Sequence, residues 1–136
     1  MRNTARTIFW ACAVFLLLGA AGHAPVALAA GQVPDKKVCE DKDNPPKDAV
    51  TQGGCLVIDR AKGNCMACHA IAGVASGNIA PALENVGQRY PDKGKLRAQI
   101  EDASKLNPRT VMPPFGRHGI LSKDEIDKVV EFVLTL

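Results

Sequence analysis

The C-terminal stretch carries the clearest hydrophobic rhythm in the chain. Ile126, Val129, Val130, Val133 and Leu134 recur at i, i+3, i+4, i+7 and i+8, with Phe132 flanking the stripe, the spacing of one buried helical face. Ser122 stands three residues before Glu125, a capping box that marks where this helix begins. A second stripe, Leu96, Ile100 and Ala103, predicts a helix opening at Asp92 or Lys93 and running to about Ala103. Asp48 can N-cap a third, to about Ile58. Gly53 and Gly54 inside it each disfavour helix by about 1 kcal/mol relative to Ala, so they predict close approach by another helix. Ala82 to Arg89 reads as a short helix with Leu83 and Val86 inward, closed by Tyr90-Pro91, and Cys65 to Ala70 as a single helical turn. Gly73 to Pro81 and Lys105 to Gly119 are loops, and residues 30–47, polar with Pro34, Pro45 and Pro46, form an extended arm. There is no alternating strand pattern and no internal repeat. The expected fold class is all-α, with about four helices and one extra turn.

The N-terminus reads differently. Arg2 and Arg6 precede an apolar run from Ile8 to Gly22, and Ala27-Leu28-Ala29 is an A-x-A cleavage signal. These are the three parts of a secretory signal peptide. Cleavage is expected after Ala29, with Ala30 as the alternative. The apolar run is short for a membrane span, so no stable span is expected and the mature chain is expected in the periplasm. The domain plan is residues 1–29 as signal, 30–47 as arm and 48–136 as one globular domain.

Charge narrows the function classes. The 136 residues hold 17 Lys+Arg against 14 Asp+Glu. Arg2 and Arg6 leave with the signal, so the mature chain is close to neutral and keeps no basic tract suited to nucleic acid. The mature aromatics are Tyr90, Phe115 and Phe132. So few large side chains make a thin core for a chain of this size, and something else is expected to fill its middle.

The cysteines say what. Cys12 falls in the signal, and Cys39, Cys55, Cys65 and Cys68 remain. Cys65-Met66-Ala67-Cys68-His69 is C-x-x-C-H, the attachment motif of c-type haem. Two thiols three apart on a helical turn face one side and can form thioethers with the two vinyl groups of one porphyrin. His69, the next residue, then lies under the iron as proximal ligand. A thioredoxin-like pair would want a βαβ context, and a zinc site would want further ligands at ligand spacing. His118 is the only other histidine after residue 29. Cys39 and Cys55 form the remaining pair, and parity in an oxidising compartment favours a disulfide tying the arm to the first helix; two free thiols, or a bond to a partner, are the alternatives.

For the second axial position the candidates are Met66, Met112 and His118. Met66 is pinned between the linking cysteines. Met112 is followed by Pro113-Pro114, which fix φ and remove backbone donors, as suits a rigid loop presenting one side chain. Met112 is the expected ligand and His118, in a turn beside Gly119, the runner-up. The Pro81 carbonyl is expected to accept a hydrogen bond from His69 and so fix its ring. Arg89 and Tyr90 are candidates for a haem propionate, or equally a surface Arg and a core-edge Tyr. Lys62, Lys93, Lys95 and Lys105 could ring the haem edge.

These features resemble the class I cytochromes c: a glycine-bearing helix, C-x-x-C-H, a proline loop, a methionine loop and a C-terminal helix crossing the first. Gly53 and Phe132 resemble the crossing pair, and Ala80 stands where many members have Gly before the proline. The stretches Asp59 to Ile71, Leu96 to Ile100, Asn107 to Gly116 and Val133 to Leu136 are more specifically similar to the SoxX family. These are the monohaem cytochrome subunits of bacterial thiosulfate-oxidising systems. The resemblance implies one covalent haem c, a heterodimer with a SoxA-type cytochrome subunit, and oxidative conjugation of thiosulfate to a cysteine of the SoxYZ carrier protein. The sulfur chemistry would lie on the partner, and this chain would relay electrons to a small acceptor cytochrome. A free diffusible carrier, or a sensor or peroxidase with an open sixth position, are the alternatives.

Overall fold

The structure, a computed structural model, describes residues 31–136. The expected signal segment, its cleavage site and Cys12 lie outside the described residues. Three helix starts fall where the capping residues place them. The Asp48 carboxylate accepts from Thr51 N–H at 2.8 Å and opens α2, Ala49–Ile58. Asp92 accepts from Lys95 N–H at 3.1 Å and opens α4, Lys93–Asp102, which tightens into a 3₁₀ turn over Ala103–Lys105. Ser122 and Glu125 complete both halves of their capping box at the start of α5, Lys123–Val133. Each such cap contributes about 1 kcal/mol.

Two expectations are corrected. The arm is not wholly extended: Asp35 caps a short helix, α1, Lys36–Glu40. Its carboxylate takes Lys37 N–H, and its carbonyl takes the N–H groups of Val38 and Cys39. The helix expected over Ala82–Arg89 is only α3, Val86–Arg89. Leu83 N–H is drawn to the carbonyl of Ala70 at 2.9 Å, and Asn85 turns left-handed at φ 49°, so the four residues before Val86 follow the preceding loop instead. Asn tolerates this region because its short polar side chain adapts to it.

The core forms where α2 and α5 cross, the most extensive helix–helix contact in the fold. A Cβ on Gly53 would meet the Lys128 carbonyl oxygen at 1.9 Å and Phe132 Cβ at 3.0 Å, so the two backbones touch where only glycine fits. Phe132 is fully buried at this crossing, with Val57, Ile126 and Val129. Burial of each such side chain contributes about 1.5–3 kcal/mol. Leu96 and Ile100 bring α4 onto the same core. Periodicity alone leaves Phe132 at the edge of the stripe, while the resemblance pairs it with Gly53; its burial follows from the absence of a side chain opposite it on α2. The arm joins through the Cys39–Cys55 disulfide and through Pro34, whose ring occupies the space a Cβ on Gly54 would need. No named strand occurs among the described residues, and no helix there is long and apolar enough to cross a membrane.

Candidate haem site

Cys65 opens a tight 3₁₀ turn, Cys65–Ala67, entered through Asn64 at φ 45°; Cys68 caps the turn and His69 follows. Asn64 N–H donates to the Asp59 carbonyl at 2.9 Å, and His69 N–H closes on the Cys65 carbonyl at 2.9 Å. The loop that follows is stitched back over this turn. Gly77 N–H donates to Met66 O at 2.8 Å, where a Cβ would lie 2.2 Å from the Ala67 oxygen. Ala80 N–H donates to Cys68 O at 3.0 Å, which makes an isolated parallel bridge between His69 and Ala80.

That bridge places the next carbonyl under the imidazole. His69 Nδ1 lies 2.6 Å from Pro81 O. A carbonyl only accepts, so Nδ1 carries a proton, which in the neutral ring leaves the lone pair on Nε2. The sequence expected this pairing, and the backbone register achieves it. In the methionine loop, Met112 N–H is held by Thr110 Oγ1 at 3.1 Å, and Met112 Sδ accepts from Gln99 Nε2 at 3.8 Å. Gln99, Asn64 and Thr110 had no site role in the sequence reading. An Asn directly before C-x-x-C is a local signal that could have been found; Gln99 has none.

The other candidates separate. Met66, half-buried, lines the groove beside the arm and the disulfide, which Met112 does not. His118 is exposed in a turn closed by its own N–H on the Pro114 carbonyl. Arg89 Nη2 donates to the Ala82 carbonyl at 2.7 Å, and Tyr90 packs at the core edge. Lys62 pairs with Glu125 at 3.0 Å, and Lys93 pairs with Glu131. Two of the four lysines considered for a basic ring are thus neutralised. A groove runs between the arm, the disulfide and Val74, and is lined by none of Cys65, Cys68, His69 or Met112.

The donor set fits a haem. Cys65 and Cys68 are free thiols, not joined to each other. Burial pushes the Cys65 thiol up to about 11, which keeps it uncharged at neutral pH, unlike the acidic thiolate of a dithiol redox pair. Large apolar side chains stand exposed in both loops: Ile79, 76% exposed, two residues before Pro81, and Val111, 89% exposed, next to Met112 in the chain. Such surface suits a large apolar group. When bound, haem supplies a one-electron iron couple; the chain's residues fix the imidazole's tautomer and present the thioether.

The cytochrome c family model matches residues 59–136, more than half of the chain, and the chain belongs to the cytochrome c family. It has the all-α class I fold and carries covalently bound haem c. Among solved structures it is similar to the crystal structure of SoxXA from P. pantotrophus, with TM-score 0.56 and 28% identity over 62% of this chain and 79% of that one. The SoxX-type resemblance read from the sequence is supported by that match. Curated relatives are an uncharacterized lipoprotein of Aquifex aeolicus (strain VF5), 35% identical over 74 residues, and the Cbb3-type cytochrome c oxidase subunit CcoP of Azospirillum sp. (strain B510), 33% identical over 81. These matches span 53% and 54% of this chain but 36% and 27% of the relatives' lengths. With the cytochrome c family the chain shares an electron-transfer function.

Proposed function

We propose that this chain is the electron-relay subunit of a SoxXA-type complex that conjugates thiosulfate to a carrier-protein cysteine. The likeness to SoxXA carries this reading, together with the Asn107-Pro108-Arg109-Thr110-Val111-Met112-Pro113-Pro114-Phe115 block. In the site, Cys65 and Cys68 form the thioethers, His69 and Met112 are the axial ligands, and the Pro81 carbonyl orients His69. Residues 1–29 direct export to the periplasm and are removed, residues 30–47 are the arm and 48–136 the cytochrome domain.

Joining thiosulfate to a thiol through a new S–S bond releases two electrons and one proton. That bond is made on a SoxA-type partner. This chain takes the electrons one at a time and passes each to a small acceptor cytochrome. With both axial positions filled by side chains, substrate has no place at the iron, so electrons leave by the haem edge. His/Met ligation sets the potential higher than His/His would.

The test is reconstitution from the exported protein. Co-expressed with a SoxA-type subunit, the chain should purify as a 1:1 complex. Its haem should be reduced by thiosulfate only when a SoxYZ-type carrier is present. A chain that stays monomeric and is instead reduced by an unrelated dehydrogenase would identify a diffusible carrier. Pairing of Lys62 and Lys93 with acidic partners weakens that second reading, because it halves the set of lysines considered for a steering ring.

A further inference from the structure

Asp102 is the one charged side chain buried among the described residues, and nothing in the haem site uses it. Its Oδ1 accepts from the Ser104 N–H at 3.2 Å and from the Ser104 hydroxyl. Its second oxygen, Oδ2, faces Arg117 Nε at 3.6 Å, an ion pair too long to be a hydrogen bond. The Ser104 hydroxyl, opposed by burial and helped by the Arg117 charge, holds the carboxyl below its ordinary value of 3.8, so it is charged at neutral pH.

This pair joins the two ends of the methionine loop. Leaving α4, Leu106 and Asn107 donate their N–H groups to the Ala103 carbonyl at 3.1 and 2.9 Å. Returning, Gly116 N–H donates to the Glu101 carbonyl at 2.9 Å. A Cβ on Gly116 would stand 2.7 Å from Glu101 Cγ and 3.2 Å from Ile126 Cδ1, so the returning backbone is pressed onto α4 and α5. Phe115 is buried beside it. Between these anchors Asn107, Pro108, Arg109 and Val111 are exposed. The stretch that carries Met112 therefore rests mainly on its two ends.

We propose that Asp102 and Arg117 are positioning residues for Met112, a latch that holds the returning end of the methionine loop on α4. This deepens the reading of Met112 as axial ligand and rests on it. Opening the latch leaves a buried carboxylate without its counter-charge, which is costly, so opening is rare. When it opens, the loop departs as a local unit while the helices stay packed. Departure of Met112 from the iron is thus set by this pair and not by the stability of the whole fold.

The test is displacement of Met112 by saturating imidazole, followed by stopped flow on the holoprotein, where the rate is that of loop opening. Asp102→Asn keeps the size and the Ser104 contacts without the charge, and Arg117→Gln removes the partner. Both should keep the sulfur-to-iron(III) charge-transfer band. Both should lose Met112 about tenfold faster than wild type, within the coupling range of residues that share one ion pair. The double variant should be no faster than the faster single. Replacing Cys39 and Cys55 by serine weakens the fold at the arm and should keep the wild-type rate. Wild-type rates in both single variants overturn the proposal. So do single effects that multiply in the double variant, or an equal acceleration in the protein without the disulfide. If Asp102→Asn does not accumulate with haem, Arg117→Gln decides alone, because Arg117 is exposed. A wild-type holoprotein with no sulfur–iron band would remove Met112 as ligand and this proposal with it. That failure shows in the wild type, so it is distinct from failure of the latch in the variants.

Discussion

Gly53 of α2 and Lys128 of α5 meet backbone to backbone: a side-chain carbon on Gly53 would stand 1.9 Å from the Lys128 carbonyl oxygen. No rotamer relieves that contact, because the obstructing atom belongs to a helix main chain. Gly53→Ala is expected to destabilise the holoprotein by about 1–3 kcal/mol, the range for overpacked cores. Gly87→Ala is the control, since its Cβ would meet the Leu134 oxygen at an ordinary 3.7 Å. Denaturant unfolding of the pair should separate them, and equal midpoints would contradict the crossing.

Met112 is expected to be the only one of the three sixth-ligand candidates whose loss opens the iron. Met112→Ala should abolish the sulfur–iron band, lower the potential and admit carbon monoxide to the reduced protein. Met66 lines the groove beside the arm and His118 is exposed, so His118→Ala should leave the optical spectrum unchanged. A spectrum altered by His118→Ala and untouched by Met112→Ala would reverse the assignment.

Glu125 ties α5 to the start of the haem turn. The Ser122 backbone N–H, and then the Lys62 ammonium, hold its carboxyl below its ordinary value of 4.5. A depressed carboxylate stabilises the fold above its unfolded pKa, and the gain fades as pH falls through the folded value. Unfolding free energies of wild type and Glu125→Gln should therefore differ most near neutrality. They should converge as pH drops below 4.5. A difference that is constant across that window would mean the charge contributes nothing.

The Cys39–Cys55 bridge closes a loop with a sequence separation of 16, worth roughly 3 kcal/mol in the chain-entropy model. Replacing both cysteines by serine should lower the unfolding midpoint accordingly. It should leave haem attachment intact, because the thioether cysteines are a separate pair. Loss of bound haem in the double-serine protein would show that the arm shapes the site.

Much of this protein is written in short stretches of sequence. The caps at Asp48, Asp92 and Ser122 each act across three residues, and the C-x-x-C-H motif spans five, so both are legible without knowing where the rest of the chain goes. Other features depend on distant segments. Leu83 abandons its expected helix because the Ala70 carbonyl is within reach. Lys62 finds Glu125 from 63 positions away, and Gln99 meets Met112 only because buried Leu96 and Ile100 fix the face α4 turns to the loop. Sequence alone determined the starts of α2, α4 and α5 and the haem-attachment chemistry, because those interactions are local. Tertiary structure decided which side chains surround the axial residues, because that follows from how the helices pack.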